Sequence, residues 1–83
     1  MDSKTILYSA KEFDQILVDQ VLQDVFSALK EKGYQPINQI SGYLMSGDPG
    51  YISSYKDART KITSIERSKI LEYLLKKNFG ELN

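Results

Sequence analysis

Lys32-Gly-Tyr-Gln-Pro-Ile-Asn-Gln-Ile-Ser-Gly-Tyr-Leu-Met-Ser-Gly-Asp-Pro-Gly-Tyr-Ile52 decides how this chain folds. The stretch holds four of the five glycines and both prolines, so its backbone is dictated residue by residue. Gly33 stands where a helix ending in Lys30, Glu31 and Lys32 would stop, with cations in the last turn to suit the helix dipole. Pro36 fits the first position of a second, short helix. That helix would turn Ile37, Ile40, Tyr43 and Leu44 inward and stop at Ser46-Gly47. Asp48-Pro49-Gly50 reads as a tight turn, with proline presetting φ and glycine free to take a positive one.

Working upstream, Ser9 is a good helix N-cap, with Glu12 three residues on as its reciprocal partner. Tyr8 and Phe13 occupy the positions of a hydrophobic staple around it. Ile16, Leu17, Val21, Leu22, Val25, Phe26 and Leu29 then recur at helical spacing, predicting a first helix over about 10–32. Residues 1–8 lack that periodicity and read as a flexible N-terminal arm. Downstream, Ser53 or Ser54 can cap a third helix running to about Ile62, and Thr63 with Glu66 forms a second capping box. The last helix would place Ile65, Ile70, Leu71, Leu74 and Leu75 on one face and stop near Gly80. No segment alternates with the period of two that marks a half-buried strand. The expectation is an all-α bundle of four to five helices, residues 9–83 forming a single helical domain behind the arm.

Eighty-three residues make a small core, and with no cysteine no disulfide can reinforce it. Domains of this kind often gain stability by pairing, so a homodimer is expected. The absence of cysteine and histidine removes thiol catalysis, thiolate metal sites, and the commonest general base and metal ligand. Neither an enzyme nor a metal or other cofactor is expected. Eleven basic and eleven acidic side chains cancel, whereas nucleic-acid binders usually carry a basic excess. Charges interrupt every wide apolar window, and Met-Asp-Ser-Lys-Thr begins no apolar signal core, so the reading is cytoplasmic.

Few residues suggest chemistry. Ser46-Gly47-Asp48-Pro49-Gly50 has the glycines of a phosphate loop, but lacks its Gly-Lys-Ser/Thr ending and follows no strand. The carboxylates are scattered with no base or metal partner. Tyr34, Tyr43, Tyr51 and Tyr55 gather around the turn and read as packing between helices. Lys56, Arg59, Lys61 and Arg67 lie close together: either solvated charges paired with Asp57 and Glu66, or a small anion-recognising surface. Ser3, Thr5 and Ser9 carry hydroxyls at or near the arm that a kinase could reach.

From Glu31 to Ile52 the chain resembles the IreB/ReoM family of small regulatory phosphoproteins of Gram-positive bacteria. The shared pattern is Glu-Lys-Gly-Tyr-x-Pro-Ile-Asn-Gln-Ile-x-Gly-Tyr-x-x-Ser-Gly-Asp-Pro-Ala-Tyr-Ile. Lys56-Asp57-Ala58-Arg59 and Glu66-Arg67 continue in register, and Thr5-Ile6-Leu7-Tyr8 resembles the family's arm motif. The resemblance implies a helical homodimer without enzymatic activity, phosphorylated on its arm by a membrane Ser/Thr kinase and restored by a cognate phosphatase. In some members the unmodified protein promotes Clp-protease degradation of the enolpyruvyl transferase that opens peptidoglycan synthesis. Control of cell-wall synthesis, and with it antibiotic tolerance, is therefore implied. By position, Thr5 is the implied phosphoacceptor, and Arg59 and Arg67, with Lys56 beside them, the implied partner-binding surface.

The chain departs from that pattern at Thr60, Thr63, Ser64 and Ser68, where the family tends to carry Asn, Arg, Lys and Asp, and at Gly50 in place of Ala. Two cations are thereby missing from the implied basic face. The alternative from another class is a small helix-turn-helix nucleic-acid binder using the third helix.

Overall fold

Ser9 opens the first helix in the way its neighbours require. Its hydroxyl accepts the Glu12 amide at 3.1 Å, and the Glu12 carboxylate accepts the Ser9 amide at 3.0 Å. The computed structural model describes residues 9–81. They form α1 (Ala10–Glu31), α2 (Pro36–Ser46), α3 (Ala58–Thr63) and α4 (Arg67–Asn78), with 3₁₀ turns at Pro49–Tyr51 and Tyr55–Asp57. The described residues are thus all-α. Tyr8, and with it the staple around Ser9, lies outside them.

α1 ends as expected, at Gly33 with φ +88°. The Gly33 amide donates to the Lys30 carbonyl and the Tyr34 amide to Leu29, so two orphan carbonyls of the last turn are satisfied. Pro36 opens α2 and Gly47 closes it at φ +77°. Left-handed backbone in the following turn therefore falls at Gly47 and not at Gly50. In that turn the Asp48 carboxylate accepts the Gly50 amide at 2.8 Å and itself starts the 3₁₀ segment.

α1 is the wall against which everything else is laid. Val18, Val21, Val25, Ala28 and Leu29 form its buried stripe, met by Tyr43, Ile52, Ala58, Ile62, Ile65, Ile70 and Tyr73. The expected inward set needs correction at both ends of the chain. Ile16, Leu17 and Phe26 flank the stripe and stay partly open to solvent, as do Leu71, Leu74 and Leu75 on α4. Helical period marks a face but not its cover: α4 inserts Ile70 and Tyr73, which turns the leucines sideways. On α2, Tyr43 is buried and Ile40 and Leu44 pack against the core, but Ile37 is 66% exposed.

The third and fourth helices also begin differently from expectation. Ser53, through its hydroxyl, accepts the Tyr55 amide at 3.1 Å, but regular helix waits until Ala58. Thr63 caps nothing: its hydroxyl donates back to the Arg59 carbonyl at 2.8 Å. α4 starts at Arg67 behind Glu66, with no side-chain cap, while Ile65 fills the core just before it.

Candidate partner-binding surface

The segment from Ile52 to Arg59 is short of regular structure and rich in charge. Lys56 and Asp57 both adopt left-handed backbone, at φ 49° and 61°, a conformation costing about 1–2 kcal/mol per L-residue. Contacts from outside the segment hold it. The Glu31 carboxylate, at the end of α1, accepts both the Tyr55 hydroxyl and Lys56 Nζ, the latter at 2.9 Å. Lys32 Nζ lies 5.1 Å from the centre of the Tyr55 ring, a cation on its face. Tyr55 first, and Lys56 after it, hold the Glu31 carboxyl below its ordinary value, and Glu31 raises the Lys56 ammonium. Within the segment, the Arg59 amide donates to the Ser53 carbonyl at 3.1 Å.

The two arginines are fixed by carbonyls, not by carboxylates. Arg59 Nε donates to the Ile52 carbonyl at 2.8 Å. Arg67 Nη1 donates to the Leu44 carbonyl at 2.9 Å, at the C-terminal end of α2 where a cation also suits the dipole. A Cβ at position 47 would stand 2.8 Å from the Arg67 guanidinium, so glycine there serves both the left-handed turn and the arginine. Neither arginine is in an ion pair among the described residues, whereas Lys56 and Lys61 are taken by Glu31 and by Asp24 at 3.6 Å. The expected loose pairing with Asp57 and Glu66 does not occur.

The expected site residues are therefore distributed along a band. Lys56 and Arg59 lie beside the second half of α1, and Arg67 lies against the end of α2. Thr5 lies outside the described residues. Thr63 and Ser64, where two cations are missing, turn their hydroxyls onto the carbonyls of Arg59 and Lys61 at the end of α3.

Sequence reasoning missed Glu31, whose position as the last residue of α1 gave no sign that it would clamp Tyr55 and Lys56. It also missed an apolar groove of about 380 Å³ between α1, α2 and α4, lined by Leu22, Phe26, Ile37, Ile40, Leu44 and Leu74 among others. Asp19 and Lys77 stand on its rim. The Tyr73 hydroxyl donates to Asp19 at 2.5 Å and, ahead of Lys77, holds that carboxyl below its ordinary value.

Among the described residues no group of three or more acidic side chains converges on a point that could hold a metal, and no helix is long and apolar enough to cross a membrane. Fold and surface together define a class: a small all-α protein with cations fixed on its surface by carbonyls and by one carboxylate clamp. The chain belongs to the IreB regulatory phosphoprotein family, whose model matches residues 3–79. That match spans Thr5, Lys56, Arg59 and Arg67 alike.

Proposed function

We propose that this chain is a non-enzymatic cytoplasmic regulator of cell-wall synthesis, switched by phosphorylation of Thr5. A membrane Ser/Thr kinase adds the phosphate and a cognate phosphatase removes it. The unmodified form promotes Clp-dependent proteolysis of the enolpyruvyl transferase, which makes the protein a determinant of antibiotic tolerance. Membership of a regulatory phosphoprotein family across residues 3–79 carries this reading.

The surface chemistry is consistent with such a role. A guanidinium anchored through one nitrogen keeps its remaining donors in a fixed orientation, ready for a carboxylate on a partner. Arg59 and Arg67 are both in that state. A phosphate brings about −1.5 to −2 charges to a chain whose formal net charge is zero. That can shift a binding equilibrium by about 1–3 kcal/mol.

The functional unit is a homodimer closed over the groove between α1, α2 and α4. Phe26, Ile37 and Leu74 on that groove, with Leu71 and Leu75 beside it on α4, leave more apolar surface open than so small a core can spare. The nucleic-acid alternative would rest on α3, which has six residues and whose Lys61 is already paired with Asp24.

Incubating the parent and a Thr5→Ala variant with the cognate kinase tests the switch by intact-mass spectrometry. One phosphate on the parent and none on the variant is the expected result. Equal labelling of the two would remove Thr5 from the mechanism.

A further inference from the structure

If Thr5 is the phosphoacceptor, the length of the arm limits where its phosphate can act. Ser9 is four positions beyond Thr5, and four extended steps of chain span at most about 14 Å. α1 rises about 1.5 Å per residue and serves as a ruler from Ser9. Asp14, which holds Lys69 Nζ at 3.2 Å, is about 8 Å along it. Asp24, which holds Lys61, is about 22 Å along, and Glu31, which holds Lys56, about 33 Å. Arg59 lies between Lys56 and Lys61 in the chain and so flanks the far half of the ruler. A phosphate on Thr5 therefore meets the start of α1 well before it could meet the Arg59 of its own chain.

What lies within reach is a different basic cluster. Lys11, Lys69 and Lys76 border one shallow groove between the start of α1 and α4, together with Asp14, Gln15 and Glu72. Lys69 is engaged there only by an exposed ion pair to Asp14 at 3.2 Å, and the half-buried Lys76 by the exposed Glu72 at 3.4 Å. Such pairs are weak and exchange readily for a dianion. The Gln15 side-chain nitrogen is buried and has no acceptor among the described residues, so the groove also holds a donor lacking a partner.

We infer that phosphorylated Thr5 folds back onto the groove between α1 and α4, where Lys11, Lys69 and Lys76 bind its phosphate. The switch is then read within the chain: the arm is tethered along the first turns of α1, and Arg59 is untouched. This rests on Thr5 being the modified residue, but its test does not need the kinase.

Protein carrying phosphothreonine at position 5, made by peptide ligation, is titrated by ³¹P NMR at low salt beside a free phosphorylated peptide of residues 1–8. The phosphate in the full chain should bind its second proton roughly three- to tenfold more weakly than in the peptide. Combined Lys69→Gln and Lys76→Gln should return most of that difference, and Arg59→Gln none. A phosphate that titrates as in the peptide overturns the inference, and so does a shift abolished by Arg59→Gln alone. Should the lysine variants fail to fold, backbone amide shifts of the parent with and without phosphate decide. Changes confined to 11–18 and 69–76 support docking in the groove, and changes centred on 52–59 refute it. A kinase that ignores Thr5 would defeat the proposed function and leave this measurement intact.

Discussion

Gly47→Ala perturbs two features at once, and their sizes can be worked out separately. An alanine held at φ +77° costs about 1–2 kcal/mol relative to glycine. Its Cβ would also stand 2.8 Å from Cζ and Nη2 of Arg67, so the guanidinium must swing away. That gives up the Arg67 bond to the Leu44 carbonyl, a net contribution of about 1 kcal/mol. The sum is about 2–3 kcal/mol, which for a domain of this size lowers Tm by about 10–20 °C. The assay is thermal and urea unfolding by circular dichroism, on Gly47→Ala, Arg67→Ala and the double variant. In the Arg67→Ala background only the backbone strain should remain, so the cycle should show a coupling of about 1 kcal/mol. Strict additivity would refute the argument that Gly47 makes room for Arg67. A single-variant cost under about 0.5 kcal/mol would refute the strain as well.

Acid should destabilise the protein through its clamps. The carboxyls of Glu31, Asp19 and Glu12 lie below their ordinary values, so the unfolded chain binds protons that the folded one does not. Their contribution is complete above those ordinary values, 4.5 for Glu and 3.8 for Asp, and is lost as pH falls below them toward the folded-state values. Tyr73→Phe removes the main cause at Asp19, so the variant's stability should fall less steeply across that window in pH-dependent urea melts; an unchanged slope would contradict the assignment. On the groove, Ile37→Asp or Leu74→Asp should give a protein of half the parent's mass by sedimentation equilibrium, with helix content retained. A parent that already sediments as a monomer would exclude the dimer.

What could be read in advance was what short-range geometry dictates. Ser9 with Glu12, Gly33, Pro36 and Gly47 set four helix boundaries, because each requirement is met within four residues of the chain. Burial was legible only in part. Apolar spacing on α1 and α4 marked broad faces, but which edge of each face is covered depends on partners more than 40 residues away. Thus Val18 and Tyr73 went inside while Leu17, Leu71 and Leu75 stayed out. The candidate site was legible as a set of cations but not as an arrangement. Nothing local told that Arg59 and Arg67 would seek carbonyls, or that Lys56 and Asp57 would bend left-handed under a clamp from Glu31.

The bonds joining α4 to α1 have a consequence for how the protein is made. Lys69 meets Asp14 across 55 positions of chain, and Tyr73 meets Asp19 across 54. During synthesis α2 and α3 can settle on α1 as they emerge, but the part of α1 around Asp14 and Asp19 waits for α4 to clear the exit tunnel. A nascent chain stalled before Tyr73 therefore holds its first three helices together but leaves that end of α1 bare.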